Sequence, residues 1–131
     1  MKRRDSFRPR ESMACVACFV TAGSREEAAR IGDALVRERL AACANVVGPV
    51  ASMYWWKGKV ERDREVLLIL KTRKDLVKRL ASRVRELHSY KVPEVIAIPI
   101  VGGNPAYLEW IDRSVGRRAR SPRRPPGPRK R

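Results

Sequence analysis

The tightest constraint on how this chain folds is a pair of short apolar runs that do not alternate. Val16 to Val20 reads VACFV and Val66 to Leu70 reads VLLIL. Both runs are short, hold Val, Ile or Phe, and end near turn or cap residues, so both read as strands. Successive side chains on a strand point to opposite faces. A sheet with one wet face therefore alternates apolar with polar. These two strands do not, so both of their faces call for burial.

The segments around them complete the pattern. The first strand spans Ala14 to Ala22 and ends at Gly23. Ser24 and Glu27 have the S-x-x-E spacing of a capping box, and Ala28, Ile31 and Leu35 fall on one face of the helix that follows. A second extended segment covers about Ala44 to Trp56, interrupted at Gly48-Pro49. Lys57-Gly58 turns the chain, and Val60 onward returns antiparallel. Thr72 and Asp75 are spaced to cap a second helix, whose stripe is Leu76, Leu80, Val84 and Leu87. Val95 to Ile100 is a further strand, and Pro99 places it at an edge or a strand end. Asn104-Pro105 opens a last helix with Leu108, Ile111 and Val115 on its apolar face.

The order is β-α-β, β-α-β, helix. Two such units joined by a hairpin make an α+β, ferredoxin-like split βαβ sandwich with an extra C-terminal helix. Right-handed crossovers place the first two helices on one face of the sheet. The other face needs a cover. One short helix is too small for a whole sheet, so further copies of the same chain are the expected cover.

The strand reading also decides the Cys15-x-x-Cys18 spacing. Residues three apart on a strand face opposite ways, so these thiols neither chelate one ion together nor pair without strain. No second C-x-x-C completes a zinc site. Cysteine packs well as a small hydrophobe, and Cys43 is read the same way. Three thiols, an odd number, fit a reducing cytoplasm.

Four blocks now stand out in order: RLAACANVV (39–47), SMYWWKGKVERDREVLLILKT (52–72), LHSYKVPEVIAIPI (87–100) and GNPAYLEWI (103–111). Together they resemble the CutA family of divalent-cation tolerance proteins, in register over about residues 14–115. The resemblance implies a tight homotrimer whose sheets form its inner wall. It implies a link to copper and other divalent ions, and a structural likeness to PII signalling trimers. His88, the chain's one histidine, matches the family's H-x-Y-x-V-P-E block. Some members add a cysteine and a second histidine, where this chain has Val20 and Leu87. A copper site built here keeps one ligand of three, and Glu61, Glu94 or symmetry copies have to complete it. The other reading of His88 is a hydrogen-bonding residue near a helix end. No cofactor is required by the resemblance; divalent copper is the candidate ion.

The remaining matched residues carry two readings each. Tyr54, Trp55 and Trp56 sit before the hairpin and suit a subunit contact. Lys59, Lys71 and Glu94 either line an inter-subunit pocket for a small anion, as the PII likeness suggests, or form ion pairs. Tyr90 belongs to the same pocket or contact set. No nucleophile with its base, P-loop or dinucleotide glycine motif is present, so a non-enzymatic module is expected. A hydrolase using Arg25 is the enzymatic alternative.

Charge sets the ends apart. Of the formal +16, about +3 lies in residues 1–12, about +8 in 116–131, and about +5 in the stretch between. The basic start followed by ACVACFV loosely imitates a secretion signal, but the run is short and is needed as a strand. No run approaches the ~18 apolar residues of a membrane span. The expected organisation is a basic extension (1–12), a CutA-like domain (13–115) and a basic Pro/Arg-rich tail (116–131), both ends disordered and Met13 an alternative start. The tails also give a nucleic-acid-binding alternative. Removing both ends is expected to abolish most nonspecific DNA affinity at low salt while leaving the melting temperature nearly unchanged. An unaltered salt slope in filter binding would place that affinity on the domain instead.

Overall fold

A computed structural model of the chain describes residues 14–116. The extensions expected at 1–12 and 116–131 lie, apart from Gly116, outside the described residues. The elements run β1 (Cys15–Ala22), α1 (Arg25–Arg37), β2 (Cys43–Trp56), β3 (Lys59–Arg73), a short 3-10 turn (Lys74–Leu76), α2 (Val77–Leu87), β4 (Ile96–Pro99) and α3 (Pro105–Ser114). The four strands form one antiparallel sheet in the order β2-β3-β1-β4. This is the expected ferredoxin-like α+β arrangement, with Pro99 on an edge strand.

The central strands sort their apolar residues by parity. Val16, Cys18, Val20 and Ala22 of β1 and Val66, Leu68 and Leu70 of β3 are buried with Ala28, Ile31 and Leu35 of α1 and Leu80 and Val84 of α2. Both helices therefore share one face of the sheet. Gly32 lets α1 sit close, because a Cβ there would meet Ala44 Cβ at 3.0 Å and Leu68 Cδ1 at 3.1 Å. On the other face α3 covers one end only. Ile111 and Val115 pack there with Cys15, Ala42 and Leu76. Cys15 and Cys18 thus belong to different clusters on opposite faces, as strand parity requires. The rest of that face stays open: Val47, Ile96 and Ile98 are exposed, and Phe19, Leu67 and Ile69 are half-buried.

The caps split into two that hold and one that does not. Ser24 Oγ accepts from Glu27 N–H at 3.1 Å, and Asn104 Oδ1 accepts from Ala106 N–H at 3.1 Å with Pro105 at the first helical position. Thr72 does not cap α2. It lies inside β3, fully buried, and its hydroxyl donates to Leu40 O at 2.8 Å. The strand runs one residue past it, and α2 enters through the 3-10 turn without a side-chain cap. The S/T-x-x-D spacing misleads because the inward row of β3 needs a residue to satisfy the carbonyl of the α1–β2 loop. Gly48-Pro49 interrupts the second strand, as expected. β2 continues through it with a register shift between Val47 and Val50.

Beyond that shift, β2 and β3 leave the rest of the sheet. β1 pairs with Val66 to Arg73, so Lys59 to Glu65 pair with β2 alone. The ribbon closes at Lys57-Gly58, whose φ values of 50° and 80° suit the tight turn that follows strand twist.

Thr72→Val is expected to lower unfolding stability by about 1–2 kcal/mol by stranding the buried Leu40 carbonyl. Thr72→Ser should retain most of it, read by urea unfolding at matched protein concentration. A loss in Thr72→Ser with none in Thr72→Val would mean the methyl group, not the hydroxyl, matters here.

Candidate functional site

β3 carries a second alternating row past the end of the sheet. Glu61, Asp63 and Glu65 precede Leu67, Ile69 and Lys71 at the same parity, so one strand face changes from acidic to apolar along its length. The loop after α2 rises beside the acidic end. Between them lies a cavity of about 780 Å³, bounded by Thr21, Tyr54, Trp56, Asp63, Glu65 and Tyr90, with Lys91, Val92 and Glu94 on the loop side.

His88 fixes that loop. Its side chain has no exposed surface. Nε2 lies 2.8 Å from Thr21 O, and a carbonyl only accepts, so Nε2 carries the proton. Nδ1 then accepts from the Tyr90 N–H at 3.0 Å. The Tyr90 ring lies against the imidazole, centroids 4.6 Å apart. Glu27, from the first turn of α1, closes the group: its Oε2 accepts from Ser89 N–H at 2.8 Å and stands 3.4 Å from His88 Nδ1. Burial pushes the Glu27 pKa up, but the hydrogen bonds from Ser89, with the His88 ring and the Gly23 N–H, outweigh it and hold the carboxyl below its usual value. Tyr90, so positioned, donates its hydroxyl to Glu65 Oε2 at 2.8 Å. Burial and that carboxylate raise the Tyr90 pKa. Tyr54 donates to Asp63 Oδ2, and that bond is the main cause of a pKa pushed up to about 12.

The expected site residues separate accordingly. Tyr54, Trp56, Tyr90 and Glu94 meet at the cavity. His88 lies beneath it with both ring nitrogens engaged. Glu61 joins the acidic row but makes no hydrogen bond to His88. No group of three or more His, Cys, Asp or Glu among the described residues is placed to hold a metal ion. The residues of one chain therefore do not fit a copper ion at His88. Trp55 is 73% exposed and takes the strand parity opposite to Trp56. Lys71 donates to Asn45 Oδ1 at 2.9 Å and lies near Cys43 Sγ. Lys59 is at the far end of the same strand, on the order of 40 Å away, so one chain does not bring the two lysines into one pocket. Arg25 donates to Gly48 O. Asp63, Glu65, Thr21 and Glu27 are site residues that the sequence reading does not single out. The E-x-D-x-E alternation is the available signal for the first two. Nothing local marks Glu27 for the site, since its spacing is fully explained by the helix start.

Glu27→Gln is expected to cost about 1–3 kcal/mol at neutral pH by weakening charge-assisted bonds to the 88–90 loop. The lowered folded pKa means this stabilisation is present above the usual carboxylate value of 4.5 and is lost as pH falls through the lower folded value. The gap between wild type and variant should therefore close in acid. A gap that persists there would assign the effect to packing.

Comparison with known proteins places this arrangement. The profile of the CutA1 divalent ion tolerance protein family matches residues 16–114. Protein CutA 1, chloroplastic, of Oryza sativa subsp. japonica is 48% identical over 99 residues, covering 76% of this chain and 56% of that protein. The divalent-cation tolerance protein CutA of Thermus thermophilus is 46% identical over 98 residues, covering 75% of this chain and 95% of that one. The matched region spans about half the length of the plant and mammalian relatives. Among solved structures, CutA1 from Oryza sativa superposes with a TM-score of 0.78 at 44% identity, covering 82% of this chain and 98% of that one. The divalent cation tolerance protein from Thermus thermophilus gives 0.76 at 44% identity, covering 78% and 99%. No helix among the described residues is long and apolar enough to cross a membrane. Matched over three quarters of its length in sequence and superposing on solved members, the chain belongs to the CutA1 divalent ion tolerance family.

Proposed function

We propose that the protein is a cytoplasmic, non-enzymatic homotrimer acting in divalent metal ion tolerance, with a PII-like assembly and a small-ligand pocket at each subunit boundary. The observation that carries the reading is the open apolar face. Phe19, Leu67 and Ile69 with Val47, Ile96 and Ile98 form one surface across all four strands, and α3 covers only its end. Copies of the chain packed sheet to sheet remove that surface from water, and the exposed Trp56 extends the same face along the β2–β3 ribbon. Family membership supports the same assembly and the role in metal tolerance.

Copper enters this proposal as a weakly held ion. A metal needs a free imidazole lone pair, and His88 spends both ring nitrogens on the backbone. The cysteines offer no alternative pair, since Cys15 and Cys18 face apart. The cytoplasmic assignment rests on three cysteines that remain thiols, none of them joined in a disulfide among the described residues. The non-enzymatic assignment rests on the chemistry of the site, where phenols and carboxylates pair with each other and no nucleophile faces a base.

Native mass spectrometry of the purified chain tests assembly and metal together. The expected spectrum is a trimer at micromolar concentration that loses added Cu(II) on buffer exchange. A monomer would reject the assembly. One copper per chain retained, and lost in His88→Ala, would return the ion to the imidazole.

A further inference from the structure

Glu65 is the one carboxylate among the described residues that is buried. The residue is only 9% exposed. Its Oε2 accepts the Tyr90 hydroxyl, and its Oε1 takes no donor from any described residue. No lysine or arginine among the described residues forms an ion pair with it. Other carboxylates do have such partners: Asp33 with Arg37, Glu38 with Arg83, Asp75 with Arg73. A buried carboxylate calls for a cation, because desolvation otherwise disfavours its charge strongly. Glu65 also lines the cavity, with Asp63 beside it on the same strand face and Glu94 across. Lys91 is the basic residue in that lining. The Asp63 hydrogen bond raises the Tyr54 pKa and burial raises that of Tyr90, and the neighbouring carboxylate charges add to both.

The shape of the cavity decides the kind of cation. About 780 Å³ is in the range of small-molecule pockets and far larger than a bare ion requires. No three metal-ligating groups among the described residues converge there. Val92 and Trp56 give it an apolar wall, and aromatic faces favour cations. We propose that the cavity binds a primary ammonium group carried on a short apolar body. The ammonium donates to Glu65 Oε1 beside Asp63, and the body lies along Trp56 and Val92. This deepens the small-ligand part of the proposed function and rests on that reading, but it does not depend on copper.

The test uses the intact protein in chelator-treated buffer, with n-hexylamine as probe and 1-hexanol and hexanoate as isosteric controls, read by calorimetry and tryptophan fluorescence. Hexylamine should bind saturably, hexanol at least tenfold more weakly, and hexanoate not at all. Glu65→Gln keeps an acceptor for the Tyr90 hydroxyl but removes the charge, and should weaken hexylamine at least tenfold. Glu109→Gln, the same change on α3 away from the cavity, should retain binding. The wild-type probe series does not depend on either variant folding. Hexanol binding as tightly as hexylamine would reduce the cavity to an apolar groove. Undiminished affinity in Glu65→Gln would remove the proposed contact. No amine binding to the assembled protein would mean that a neighbouring copy meets the Glu65 charge, and would overturn the assignment. Displacement of the amine by stoichiometric Cu(II) would make the cavity a metal site instead. A monomer that binds hexylamine would overturn the trimer alone, and a trimer that ignores it would overturn this assignment alone.

Discussion

β1 and β3 occupy the middle of the sheet and carry apolar side chains on both faces, and most of the architecture answers to that. The inward row, Val16-Cys18-Val20 against Leu68-Leu70, takes α1 and α2 as its cover. That side alone accounts for a well-packed core, with Ile31, Leu35, Leu80 and Val84 fully buried. The outward row receives only α3, at the Cys15 end. A chain of this size buries a limited share of its surface by itself. Leaving Leu67, Ile69 and Phe19 half-covered is therefore a property of the fold's arithmetic: three helices and two faces, with two helices on one side.

The acidic end of β3 is organised by a different kind of force. Glu27, His88 and Tyr90 come from separate elements and are joined by backbone N–H and C=O groups rather than by apolar contact. The imidazole works as a fixed connector, donating to the end of β1 and accepting from the loop that follows it. Its burial keeps water from competing for either bond. The phenol of Tyr90 is thereby delivered to Glu65, and the polar cavity takes its shape from a histidine that does not itself line it.

Much of this is legible in the chain. The strand parity of VACFV and VLLIL separates Cys15 from Cys18, and Ser24 and Asn104 mark two helix starts by chemistry that acts over three residues. Thr72 is easily misread because a cap and a buried strand hydroxyl look alike locally. What distinguishes them is Leu40 O, a partner 32 residues away. The site is legible in part for the same reason. Tyr54, Trp56, Tyr90 and Glu94 belong to marked blocks and do meet. Glu65 and Glu27 acquire their roles from contacts across the fold that no spacing encodes.

The β2–β3 ribbon beyond Val50 has a consequence for how the molecule moves. Two strands without a third, and without a helix laid over them, hold each other by their ladder and little else. Amides from Ser52 to Arg62 then open by local fraying more readily than those of the β1–β3 core. The cavity shares Tyr54, Trp56 and Asp63 with that ribbon. Its walls are therefore built from two stabilities: a rigid one anchored through His88, and a soft one that stiffens only when something lies against it. Anything that occupies the cavity, or packs on the ribbon from outside, slows hydrogen exchange along the same stretch of backbone, which makes the two events energetically coupled through shared order rather than through a change of shape.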